Sequence, residues 1–134
     1  MGLMVDTNVF IKFEKSGKLI DFSSWEKTGS VYLSVITASE LLMGVHRANT
    51  QERRERRSDF VEADISGIGI LDFNLASARI HAEIYADLAK QGKLIGAHDL
   101  IIAATARCHQ LPLLTENIAE FSRVSGLQVL PFNS

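Results

Sequence analysis

The stretch Leu3-Met4-Val5-Asp6-Thr7-Asn8 decides how the rest of the chain is read. Leu3-Met4-Val5 is a short apolar run with no polar alternation, which is the pattern of a strand buried on both faces. The chain then turns at Asp6-Thr7-Asn8, and Val9, Phe10 and Phe13 predict a short helix behind the turn. A buried strand, a polar turn and a helix make the opening of a parallel α/β sheet.

Working outward, the same alternation recurs. Val31 to Ile36 is β-branched and apolar and predicts a second strand. Thr37 to about Arg47 carries Leu41, Leu42 and Val45 at helical spacing, and residues 50–64, rich in Glu and Arg, predict a more exposed helix. Ile68 to Leu71 predicts a third strand. Leu75 to Lys90 predicts an amphipathic helix with Leu75, Ala76, Ile80, Ile84 and Leu88 on one stripe, stopped by Gly92. Asp99 to about His109 is apolar nearly all round and predicts a buried helix whose alanines permit close packing. Leu111 to Leu114 and Leu127 to Leu130 predict two more strands, with a helical turn over Ile118 to Phe121 between them. Residues 14–29 give no clear element. The expected architecture is α/β: a central, mostly parallel sheet of four to five strands with helices on both faces.

Size and composition fit one such domain over residues 1–134. The apolar fraction of 46% supports a packed core and excludes a wholly disordered chain. The single cysteine, Cys108, excludes a disulfide framework and a four-cysteine zinc site, and it reads as a small buried side chain. Fourteen basic against sixteen acidic residues give a net charge of −2, so any nucleic-acid binding must rest on a local patch or on metal ions. No uncharged apolar run approaches the roughly 18 residues of a membrane helix, and Asp6 interrupts what would otherwise resemble a leader. The expectation is a soluble cytoplasmic protein with no membrane partner.

In parallel α/β sheets, ligands bind beyond the carboxyl ends of the strands. Asp6, Thr7 and Asn8 follow the first strand there. Glu40 falls in the first turn of the next helix, Asp99 opens the buried helix, and Thr115, Glu116, Asn117 and Glu120 follow the Leu111 to Leu114 strand. Each acid has a plain alternative. Asp6 could be an N-cap, Thr37 and Glu40 match a capping box, Asp99 would favour a helix dipole, and Glu120 could be a solvated surface acid. Their joint position at one edge is what points to a site. Two like charges about 4 Å apart repel by roughly 4 kcal/mol at an effective dielectric near 20. A cluster of carboxylates at neutral pH therefore calls for protons or a cation. The surrounding donors are oxygens, which suits Mg²⁺ or Mn²⁺. A carboxylate-held ion of that kind serves phosphodiester hydrolysis.

With these residues in view, the chain resembles the PIN-domain ribonucleases, most closely the VapC-type toxins of type II toxin–antitoxin modules. The resemblance runs over nearly the whole chain in four motifs: Met4-Val5-Asp6-Thr7-Asn8; the strand and helix from Ser34 through Glu40-Leu41 to Gly44; Asp99 at the head of the alanine-rich helix; and Leu113-Leu114-Thr115 through Glu120-Phe121. It implies a metal site of Asp6, Glu40 and Asp99. Many members carry Asp where this chain has Asn117, so Glu120 is assigned as the outer fourth acid. Asn117 and Asn8 are left as substrate contacts, and Thr115 as the group that orients a carboxylate or the attacking water. The resemblance further implies an endoribonuclease using Mg²⁺ or Mn²⁺ on an RNA substrate, a small antitoxin partner, and a homodimer.

Other features carry less. Arg47, Arg53, Arg54, Arg56 and Arg57 form the densest basic cluster, diluted by Glu52, Glu55 and Asp59; a solvated helix with i,i+4 pairs is the preferred reading, and an RNA-phosphate or antitoxin-facing surface is the alternative. His98 reads as a surface histidine. His46, His81 and His109 lack zinc spacing, and Trp25, Tyr32 and Tyr85 form no stacking array. A haloacid-dehalogenase-like phosphatase needs a second Asp where Asn8 stands, a signalling receiver needs an acid pair where Asp6 is alone, and a catalytically weak PIN-like binding module is a further alternative.

Overall fold

The computed structural model describes residues 2–17, 21–22 and 29–132. Five strands are present: β1 Gly2–Val5, β2 Ser30–Ser34, β3 Gly69–Leu71, β4 Leu113–Thr115 and β5 Val129–Pro131. The helices are α1 Thr7–Ser16, α2 Val35–Arg47, α3 Gln51–Gly67, α4 Leu75–Lys90, α5 Ala97–Cys108 and the single turn α6 Ile118–Phe121. The sheet order is β3-β2-β1-β4-β5, and every neighbouring pair is parallel. The chain starts in the middle, builds outward through β2 and β3, then crosses β1 to add β4 and β5. Strand order thus reverses between β1 and β4, and the crevice at the carboxyl ends of those two strands is where such sheets hold ligands.

Two apolar clusters, one on each face, follow from the two-residue period of the strands. Leu3, Val5, Leu33 and Leu114 point to the face covered by α1, α2 and α3, where they meet Phe10, Leu41 and Val61. Met4 and Leu113 point to the other face and meet Leu88 of α4 and Ile102 of α5. The alanines Ala103, Ala104 and Ala106 are fully buried in this second cluster, as the apolar periphery of α5 predicts. Removing the ring of Phe10, which is 0% exposed, would cost about 3–5 kcal/mol. Among the described residues no helix is long and apolar enough to cross a membrane.

Several boundaries depart from the sequence reading. The second strand ends at Ser34, because the Ser34 hydroxyl accepts the Ile36 amide and starts α2 two residues early. Val35 and Ile36, read as strand from their β-branching, form the first turn of a helix: a cap has overridden propensity. Thr37 and Glu40 are consequently not a capping box, since the cap lies three residues before Thr37. Leu75 is 66% exposed and leaves the stripe that Ile84 and Leu88 bury. Cys108 is only partly buried. Within residues 14–29, α1 runs to Ser16 and stops at Gly17, whose φ of 70° is left-handed; Trp25 lies outside the described residues.

Tyr32 explains two glycines that the sequence leaves unassigned. It pairs with Met4 on one side and Gly69 on the other. A Cβ on Gly69 would sit 2.8 Å from its ring, and one on Gly2 would sit 2.7 Å from the ring and 2.7 Å from the Ser30 carbonyl oxygen. The ring occupies the space that a side chain at either glycine would need.

Candidate active site

β1 ends at Val5, and the Asp6 amide continues the ladder by donating to the Leu114 carbonyl at 2.9 Å. That bond carries Asp6 to the crevice between β1 and β4. Its carboxylate is held at both oxygens. The Thr7 amide donates to Oδ1 at 2.8 Å, which makes Asp6 the N-cap of α1, and the Thr115 hydroxyl donates to Oδ2 at 2.7 Å. The N-cap reading of Asp6 therefore holds, and the same carboxylate faces the crevice where its site role is expected. Thr115 is wholly buried at the end of β4 and is itself saturated: its oxygen accepts the Asn117 amide at 2.9 Å and the Asn8 side-chain amide at 3.4 Å.

Glu40 reaches the same crevice from α2. The Thr7 hydroxyl donates to its Oε1 at 2.7 Å and is hydrogen-bonded to the Thr37 hydroxyl at 3.0 Å. Thr7, counted from sequence only among the oxygen donors around the acids, joins the first acid's loop to the second acid's helix. On the outer side, Glu40 Oε2 lies 3.3 Å from His98 Nδ1, so His98 is a neighbour of the acids rather than a bare surface residue. Asp99, one residue on, stands in the first turn of α5, whose N-cap Gly96 offers no side chain.

The electrostatics tie the four acids together. Burial pushes the Asp6 carboxyl above its ordinary value, the bonds from Thr115 and Thr7 oppose that rise, and the charges of Glu40 and Glu116 add to it. Asp99 is pushed up to about 6, first by burial and then by the charges of Asp6, Glu120 and Glu40, with only His98 acting against them. Asp99 thus senses the other three predicted acids. Among the described residues no Lys or Arg pairs with Asp6, Glu40, Asp99 or Glu120. The one cation drawn to this rim, Lys12, is bound to Glu116 at 2.6 Å. Neither Lys12 nor that pairing was foreseen; the i,i+4 spacing of Asn8 and Lys12 along α1 was the available signal.

The donor set fits a hard divalent cation in kind: carboxylates raised by burial and then by the charges of neighbouring acids, with hydroxyls and amides beside them. Among the described residues no three acids, histidines or cysteines are gathered into a ready-made cage. Glu120 enters as a charge near Asp99, and Asn117 caps the α6 turn with its backbone, its side chain making no capping bond.

An acid-lined crevice lies at the reversal point of a parallel sheet, where such α/β domains hold ligands, and the sequence has no glycine-rich phosphate loop of the nucleotide-binding kind. The chain belongs to the PIN-domain family, whose model matches residues 3–127, and within it to the VapC type. It is 41% identical over 134 residues to Ribonuclease VapC1 of Rickettsia felis, covering 100% of this chain and 98% of that one. It is 33% identical to the tRNA(fMet)-specific endonuclease VapC of Shigella flexneri, covering 96% of each. Among solved structures it is similar to the DNA-bound VapBC of Salmonella typhimurium, with 28% identity, a TM-score of 0.86 and 98% of both chains covered. This membership sets aside the phosphatase and receiver readings.

Proposed function

We propose that this chain is the ribonuclease toxin of a toxin–antitoxin module and that it hydrolyses RNA phosphodiester bonds with Mg²⁺ or Mn²⁺. The relatives' names support the ribonuclease. The metal dependence rests on one observation: Asp6 at the head of α1 and Asp99 in α5 are both raised by burial and by the charges of neighbouring acids, and no Lys or Arg of the described residues pairs with either. Asp6 and Asp99 would hold the ion, with Glu40 and Glu120 as outer acids. Bound there, a hard ion supplies charge neutralisation for the scissile phosphate and a more acidic water.

The chain's own residues do the positioning. Thr115 fixes the Asp6 carboxylate from below, and Thr7 fixes Glu40 from the side. Both carboxylates are then aimed before substrate arrives, which is where preorganisation lowers a barrier. Asn8 and Asn117 flank Thr115 at the mouth and suit contacts to the RNA backbone or bases. An antitoxin partner is supported by the toxin–antitoxin complexes among the structural relatives, and a homodimer is the assembly expected with it. Transfer RNA is a reasonable first substrate, given the name of the Shigella relative.

The test is cleavage of purified RNA with Mg²⁺ or Mn²⁺, with and without chelator, by wild type, Asp6→Asn and Asp99→Asn. Metal-dependent cleavage lost in both variants is expected. Cleavage that persists through chelation and substitution would reject the metal mechanism, and no cleavage under any condition would leave the reading of a binding module.

A further inference from the structure

Away from the acids, a cleft of about 680 Å³ opens where the end of α1, the end of α2 and the start of α3 meet. Lys15, Arg47, Arg53 and Arg56 line it, with Asn49 and Phe60 between them. The four cations are all exposed. In a chain of net charge −2 this is a local concentration of positive charge.

The cations differ in how firmly they are already committed. Arg57, also at the cleft, is structural: its Nε meets Glu14 of α1 at 2.9 Å and its Nη1 donates to the Gly44 carbonyl of α2 at 2.9 Å, so it ties three helices together. Arg56 pairs with Glu52 at 3.0 Å, but both side chains are well exposed, and such a pair exchanges readily with solvent or another anion. Among the described residues, Arg53 hydrogen-bonds through its guanidinium to the neutral Asn49 side chain and through its backbone amide to the Thr50 cap, and it makes no ion pair. Lys15 and Arg47 have no ion pair among the described residues.

Helical spacing connects this cleft to the acids. Glu40 and Arg47 are i and i+7 on α2 and share one face, with Gly44 between them. Asn8, Lys12 and Lys15 are i, i+4 and i+7 on α1. Asn8 touches Thr115 at the site and Lys15 lines the cleft, with Lys12 on the rim between. Lys15 lies nine residues past Asp6, about 14 Å along a helix axis. A polyanion lying in the cleft could follow α1 into the crevice.

We infer that the Lys15–Arg47–Arg53–Arg56 cleft binds the phosphate backbone of the RNA that the acid site cuts, several nucleotides from the scissile bond. This rests on the ribonuclease reading and deepens it. The chemistry favours RNA because the residues are exposed point charges and guanidinium forks lined along a groove that also includes Phe60. The acid site repels phosphate until an ion is present, so the cleft supplies attraction that the site itself lacks.

The experiment uses the whole chain and the double variant Arg47→Ala/Arg53→Ala, which spares Arg57 and every residue of the acid site. Binding of fluorescein-labelled single-stranded RNA is followed by anisotropy in chelator, across a salt series, alongside steady-state cleavage with Mg²⁺. The expected result is about ten-fold weaker binding, with the slope of log affinity against log salt smaller by about 1.4, near 0.7 for each lost phosphate contact. KM should rise to match while kcat at saturating RNA stays within about two-fold. Unchanged affinity and slope, or a loss confined to kcat, would overturn the inference. So would an unchanged RNA affinity with loss of polyglutamate binding, which would assign the cleft to an acidic protein. Wild-type protein that binds RNA through the cleft without cutting it would sink the ribonuclease reading and leave the cleft assignment standing.

Discussion

The Thr7 hydroxyl donates to Glu40 Oε1 at 2.7 Å while also bonded to the Thr37 hydroxyl at 3.0 Å, so one buried threonine links the loop after β1 to two residues of α2. A hydroxyl has one proton and two lone pairs. Spent on the carboxylate, that proton leaves Thr7 to accept from Thr37, and the chain Thr37–Thr7–Glu40 is satisfied throughout. Thr7→Val keeps the shape and removes both bonds. It should destabilise the protein by about 1–3 kcal/mol, the cost of a stranded buried partner. It should also lower kcat by about ten-fold, since Glu40 loses its fixed aim. Urea unfolding and single-turnover cleavage measure the two effects separately, and a variant with native kcat would show that Glu40 needs no such support.

Asp99 makes the opposite trade. Its carboxyl is raised from 3.8 to about 6 by burial and three neighbouring acids. A folded-state value above the unfolded one means that the native state binds more protons between those two values. Stability of the metal-free protein therefore falls as pH rises from about 4 to about 6, and Asp6, raised in the same direction, adds to the fall. Asp99→Asn should raise the metal-free Tm at pH 8 and leave it nearly unchanged at pH 4. The same variant should lose cleavage by at least about 100-fold. In wild type, the Tm gain on adding Mg²⁺ should grow with pH as the carboxylates empty of protons. A metal-free Tm that climbs from pH 4 to 7 with no metal response would contradict the account.

Much of this site could be read before any coordinates. Asp6 follows an uninterrupted apolar run and Asp99 heads an alanine-rich one, so each was placed by the element beside it. Glu40 was less secure, because Thr37 three residues earlier imitates a cap. Only the Ser34 hydroxyl on the Ile36 amide shows that the helix already has one. The sheet order was not legible at all, since short apolar strands carry no record of their neighbours, and the convergence of the acids depends on it. Long-range polar ties such as Arg57 to Glu14 and Gly44, or His98 to Glu40, leave no periodic signal.

Asp64 is a third raised carboxyl, after Asp6 and Asp99, and has no part in the site. It is buried on α3, its Oδ2 has no hydrogen-bond partner, and burial with the nearby Glu14 charge pushes it up to about 7. Glu14 is itself held by Arg57, so that cation is already engaged. The sign is the same as for Asp99, but the window runs higher, from about 4 to about 7. Asp64→Asn removes the ionisation without removing the side chain. Its Tm should exceed that of wild type at pH 8 and match it near pH 4, with cleavage unchanged. A loss of stability at pH 8 would mean that the Asp64 charge has a favourable partner in solution.

Gly2 tests the sheet rather than the site. A Cβ there meets the Ser30 carbonyl and the Tyr32 ring, each at 2.7 Å. The ring can rotate away, but the carbonyl belongs to the β1–β2 ladder and cannot. Gly2→Ala should therefore cost about 1–3 kcal/mol, as overpacking does. Gly69→Ala meets only the ring, at 2.8 Å, and should cost less. Combining Gly69→Ala with Tyr32→Leu should recover most of its loss, whereas Gly2→Ala with Tyr32→Leu should recover little. Double-mutant cycles by urea unfolding read the difference. Equal rescue of both glycine variants would show that the ring, not the strand carbonyl, sets the limit at Gly2.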